Sequence, residues 1–143
     1  MIWIVTTNTN DCRIYQYDEK QKQLTLMEEI NHPQNREKAS IHLTTDKPGH
    51  YQAGSVHGAY APHSDPKAVQ IDDFARLIAN TLNEARNKNA YSKLMIITPA
   101  HMSGLIAQHL DKHVAELITN TTHKDVMHLS EKELVEFLCH HKV

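Results

Sequence analysis

Cysteine, glycine and proline are scarce in this chain: two, four and five among 143 residues. The two thiols, Cys12 and Cys139, lie near opposite ends, too few for a disulfide scaffold, and no CxxC pair is present for metal or redox work. Charge of one sign is also missing. Fifteen Lys and Arg against seventeen Asp and Glu leave a formal net charge of -2, which excludes a strongly basic nucleic-acid coat and a polyacidic tail. No apolar run approaches the roughly 20 residues of a membrane span. Residues 1–5 are apolar but too short for a signal peptide, with no basic flank or cleavage site, so a cytoplasmic location is expected. With 40% apolar and 22% charged residues, the chain is expected to form one soluble domain over 1–143.

Histidine is abundant instead. There are twelve, nearly as many as Lys and Arg together, and histidine titrates nearest physiological pH. The glycines and prolines are clustered. Gly49, Gly54, Gly58, Pro33, Pro48, Pro62 and Pro66 all fall within 31–67, where that density of chain breakers marks a loop. Structureless connections longer than about 12–15 residues are uncommon, and such loops are either functional or disordered. Five histidines (32, 42, 50, 57, 63) and two tyrosines (51, 60) lie in it.

Three strands are expected before the loop. Residues 2–5 form a continuous apolar run, as in a strand covered on both faces. Residues 12–17 alternate, with Cys12 and Ile14 on one side and Arg13, Tyr15 and Tyr17 on the other. Residues 24–30 form the third, with Leu24 and Leu26 facing one way; short polar turns imply an antiparallel meander. After the loop the period becomes helical. Asp65 is a good N-cap and Pro66 suits the first helical position; Ile71, Phe74, Ala75, Ile78, Leu82 and Ala85 recur at helix spacing to about Asn89. Then come an apolar strand over 93–98, a helix opened by Pro99, a strand over 114–119, and a last helix. The last helix has a capping box, Ser130 with Glu133, and a hydrophobic staple between Leu129 and Leu134. Right-handed crossovers make the later strands parallel. The expected fold is α/β, a ribonuclease H-like five-stranded mixed sheet in the order 3-2-1-4-5. Its topology is βββ-loop-αβαβα, with helices on both faces.

A two-metal nuclease of this fold needs carboxylates at the ends of the first and fourth strands and on the first long helix. The first strand ends Thr6-Thr7-Asn8 and the fourth Thr98-Pro99, with no acid at either. Asp72 and Asp73 read as a solvated first turn favoured by the helix dipole. Zinc sites prefer close pairs with Cys or carboxylate help. His57 and His63 lack a neighbouring Cys, and His123 and His128, flanking Asp125, match no known pattern. No metal or other cofactor is expected. Thr98-Pro99-Ala100-His101 puts a helix N-terminus at the sheet edge, a generic anion site or an ordinary helix start. Cys139 and His140 are adjacent on a helix and point about 100° apart, so Cys139 reads as structural.

Several segments recur in a familiar order. They are Asn31-His32-Pro33-Gln34-Asn35-Arg36, Asp46-Lys47-Pro48-Gly49, Asp65-Pro66-Lys67 with Phe74-Ala75, Leu94-Met95-Ile96-Ile97-Thr98-Pro99 with Gly104-Leu105, and Lys124-Asp125. Together they resemble, over essentially the whole chain, the bacterial host attachment family. That family is distantly similar to the middle domain of archaeal–eukaryotic peptide release factors and Pelota. In release factors a Gly-Gly-Gln tip before the long helix enters the peptidyl-transferase centre. The matching loop here reads Tyr51-Gln52-Ala53-Gly54-Ser55-Val56-His57-Gly58, without Gly-Gly-Gln, so release catalysis is not expected.

The resemblance implies a non-catalytic cytoplasmic binding module acting at the ribosome or on RNA through the 31–67 loop. The residues expected to bind are Arg36, Lys38, Lys47, Gln52, Gly54, His57, Gly58, His63 and Lys67, with His101 at the later helix start. DNA is not an expected partner; protein partners are. Two other functions stand beside this one: an adhesion protein, as the family name implies, and a hydrolase using His57 or His63 as general base with the helix start at Pro99. The loop sums to +1 with neutral histidines and +6 with all five protonated. An anionic partner is therefore expected to bind more tightly at about pH 5.5 than at about pH 8. A binding isotherm that does not change with pH would contradict this.

Overall fold

The structure is a computed structural model that describes residues 1–32 and 65–141. The loop expected over 31–67 lies largely outside the described residues. Strand β1 (Ile2–Thr7) is buried at all six positions. It pairs antiparallel with β2 (Asp11–Asp18) and parallel with β4 (Lys93–Ile97). Strand β3 (Gln23–Asn31) lies outside β2, and β5 (Ile118–Thr122) outside β4. The order is β3-β2-β1-β4-β5, the mixed ribonuclease H-like sheet that the apolar runs predict.

Two cores flank the sheet. On one side, Val5, Cys12, Ile14, Leu94 and Ile96 meet Phe74, Ile78 and Leu82 of helix α1 (Pro66–Asn87) and Met102 and Ile106 of α2 (Ala100–His109). On the other, Ile4, Tyr15, Tyr17, Met95 and Ile97 meet the helix after β5, α4 (Glu131–Cys139), through Leu134 and Leu138. Strand alternation divides successive residues between the cores.

A bulge lets β3 serve both. Tyr15 pairs with Leu26 but Ile14 pairs with Glu28, so Met27 is the extra residue. Leu24 therefore faces the α4 core and Ile30 the α1 core, although both are even-numbered. Leu26 shares the direction of Leu24 but is 44% exposed.

Asp65 caps α1 by accepting from the Lys67 amide at 3.1 Å, and Pro66 fills the first turn. The helix ends at Asn87, two residues short of the expected end, and Asn89 closes it at φ 58°, a left-handed position asparagine tolerates. Asp72 and Asp73 are not in its first turn, which holds no acid.

The strand expected over 114–119 begins later. Asp111 opens a short helix, α3 (Lys112–Ala115), and β5 starts at Ile118. Val114 and Leu117 stand three apart, which suits a helical turn, while Val114 and Ile118 would share a strand face; Val114 is fully buried beside α1. The strand that does form is β-branched and polar, as a half-covered edge allows.

The capping box of α4 is complete. The Ser130 hydroxyl accepts from the Glu133 amide at 3.1 Å, and the Glu133 carboxylate accepts from the Ser130 amide at 2.9 Å. Those bonds hold the Glu133 carboxyl below the usual range. Ser130→Ala is expected to destabilise the protein by about 1 kcal/mol, measured by urea denaturation. No change in the midpoint would count against it. Among the described residues, no helix is long and apolar enough to cross a membrane.

Candidate functional site

Strands β1 and β4 are parallel neighbours, so their C-terminal ends meet at one edge of the sheet. In open α/β sheets this edge carries ligand sites. Thr7 is fully buried there, and its hydroxyl lies 2.9 Å from the Asp11 carbonyl. Asn8 accepts from the amides of Asn10 and Asp11, which closes the β1–β2 turn. Thr98, one residue past β4, is also fully buried. Its amide donates to Thr122 at 3.0 Å, but its hydroxyl has no partner among the described residues. Among those residues no group of three or more His, Cys, Asp or Glu could hold a metal ion.

Pro99 is the N-cap of α2 and no side chain caps that helix. Ala100 and His101 are exposed, and no acid lies in the first turn. The first N–H groups of any helix lack intrahelical acceptors and carry the positive end of its dipole. The edge thus presents an open, donor-rich helix start.

His32 leaves β3 at the same edge. Its amide donates to Asn10 at 3.0 Å. Its ring Nε2 lies 2.7 Å from the Gln70 carbonyl, which only accepts, so Nε2 donates. The ring is tilted against Phe74 with centroids 5.2 Å apart, and only 5% of the residue is exposed. His32 is one of the five histidines counted toward the loop's charge swing, but it is buried on α1 and its ring anchors the chain. Its Nδ1 and the Gln70 Oε1 are buried without partners among the described residues. Residues 33–64 connect His32 to Asp65. Gln70, which holds His32, is five residues up the helix that Asp65 caps, roughly 7 Å of helical rise.

A second cluster was not readable in the sequence. His109 Nε2 lies 3.0 Å from Asp72 Oδ1, and Arg76 reaches Asp72 at 3.5 Å and Asp73 at 3.6 Å. Asp72 therefore ties α1 to the last turn of α2. Asn83 adds to the tie, donating to the His109 carbonyl and accepting from the Asp111 amide. Arg76 meets the two acids at local helix spacing, but the partners that join the two helices, Asp72 with His109 and Asn83 with His109 and Asp111, are far apart along the chain, and no local motif marks them.

The thiols have opposite surroundings. Cys12 is buried against α1, and burial pushes its thiol up to about 12. Cys139 is exposed. One thiol per chain is expected to react with Ellman's reagent at about pH 8 in the native protein, and two after unfolding. Two reacting at once in the native state would contradict the burial of Cys12.

A family model described as "Protein required for attachment to host cells" matches residues 3–138. The chain belongs to this attachment family. No curated protein matches it. Among solved structures, one titled "Archaeal protein" is similar at 9% identity and a TM-score of 0.48; the match covers 97% of this chain and 37% of that one. The chain thus spans just over a third of that protein's length.

In this member of the attachment family, the expected site residues fall into three groups. Pro33, Arg36, Lys38, Asp46, Lys47, Pro48, Gly49, Gln52, Gly54, His57, Gly58 and His63 lie outside the described residues. His32, Asp65, Pro66, Lys67 and His101 lie at the sheet edge or on the helices that start there: His32 buried, Lys67 and His101 exposed. Lys124 and Asp125 lie on the β5–α4 connection. Lys124 Nζ sits 5.7 Å from the Phe137 ring centroid, and Asp125 accepts from the Met127 amide at 3.0 Å. Both are committed to local structure.

Proposed function

We propose that this attachment-family chain is a non-catalytic binding module that acts on ribosomal RNA in the cytoplasm. Its working surface is the 31–67 segment and the sheet edge from which that segment departs. The observation that carries this is the anchoring of both ends of the segment beside α1, through His32 and Asp65, at the edge where α2 opens uncapped. Four Lys and Arg against three acids, with two tyrosines and the four histidines other than the buried His32, supply charge and stacking groups suited to RNA. The sheet order is also the one that the release-factor resemblance implies. Ribosome co-sedimentation at low and moderate salt tests the proposal. Association at low salt that weakens as salt rises supports it, and absence from the ribosomal fraction at both overturns it.

The family's description favours a second reading, a direct role in attachment to host cells. Protease treatment of intact cells decides it: degradation supports exposure at the surface, and full protection counts against it.

A further inference from the structure

We propose that the N-terminus of α2 and the Thr98 hydroxyl form a seat for a phosphate group. This deepens the RNA reading above and rests on it for the source of that phosphate, an RNA backbone. Thr98 carries the inference. Along β4 the side chains alternate, Leu94 and Ile96 into the α1–α2 core, Met95 and Ile97 into the α4 core. The bond from the Thr98 amide to Thr122 extends the β4–β5 ladder by one residue, so Thr98 follows Leu94 and Ile96. That places its side chain on the side where α2 packs, just before the first turn of that helix.

The Thr98 hydroxyl is fully buried with no partner among the described residues, and such a group is costly. Valine has the same shape without that cost, so threonine at this position points to a ligand for the oxygen. The neighbouring groups define the ligand. The free amides at the start of α2 donate, the exposed His101 ring can donate, and no acid stands in the first turn. α2 runs ten residues, long enough for its dipole to add to the amide donors. An anion with several acceptor oxygens matches this set.

The test uses the full chain and its ¹H–¹⁵N spectrum, titrated first with inorganic phosphate and then with a single-stranded oligoribonucleotide. The Ala100 and His101 amides are expected to move in both. Thr98→Val is expected to weaken both ligands roughly tenfold, the equivalent of one charge-assisted hydrogen bond, without lowering the melting temperature. Thr98→Ser, which keeps the hydroxyl, should bind like the natural chain and guards against a valine variant that fails to fold. Unmoved amides with both ligands, or unchanged affinity in Thr98→Val, overturn the seat. Phosphate binding at Ala100 and His101 with no RNA binding supports the seat and overturns the RNA reading. RNA binding that leaves these amides unmoved overturns the seat and leaves that reading standing.

Discussion

Phe74→Ala is expected to lower the free energy of unfolding by about 3–5 kcal/mol, read from urea denaturation. Phe74 is 1% exposed and lies among Val5, Ile30, Ile78 and Met102, where two strands meet α1 and α2. Truncation loses the transfer energy of the ring and leaves a cavity that a close-packed layer cannot fill. A domain of this size has about 5–15 kcal/mol in total, so the loss is a large share of its stability. A second effect follows from the 5.2 Å contact with His32. Without Phe74 the imidazole loses a wall of its pocket, and the anchor of the 31–67 segment loosens. Faster amide exchange at His32 and Asn31 than at Tyr17 would report that. A loss under about 1 kcal/mol would mean that Phe74 is not central to the core.

Reversing four charges, with Arg36, Lys38, Lys47 and Lys67 all changed to Glu, is expected to abolish ribosome association. The segment then sums to -7 instead of +1 with neutral histidines. Phosphate-directed binding depends on counterion release by Lys and Arg, and repulsion replaces it. Affinity should fall by at least about a hundredfold at low salt. The fold should survive, because such a charged, loop-like segment carries little of the apolar patterning, and Lys67, the one of the four among the described residues, is exposed at the start of α1. A far-UV spectrum like that of the natural chain checks this. Co-sedimentation that persists undiminished would remove the segment's charge from the account of binding.

Much of the architecture was readable because local and global signals agree. The apolar runs at Ile2–Val5 and Leu94–Ile97 mark strands covered on both faces, and they are the adjacent parallel strands β1 and β4. Asp65 with Pro66, and Ser130 with Glu133, mark helix starts because the capping partners lie within three residues. The stretch over 114–119 misled because so short a run fits either period, Val114 with Leu117 at helix spacing and Val114 with Ile118 at strand spacing. Burial of Val114 beside α1 selected the helical turn. The bulge at Met27 had no sequence signal, since it arises from the need to feed Leu24 and Ile30 into opposite cores.

The candidate site was less legible. Composition marked 31–67 as a loop with binding chemistry, and His101 could be placed at a helix start from Pro99 alone. His32 was counted there as one of five similar histidines, yet it is a buried anchor, because Gln70 and Phe74 come to it from 38 and 42 residues away. Asp72 read as a solvated acid, yet His109 meets it from the neighbouring helix. Periodicity, capping and chain breakers are local, so the sequence by itself determined the kind, number and order of the main elements and the absence of carboxylates at the strand ends. Which side chains pair across the chain, which polar atoms are left unpartnered and which thiol is sealed depend on how two sets of helices close over one sheet. Only the tertiary structure decided those.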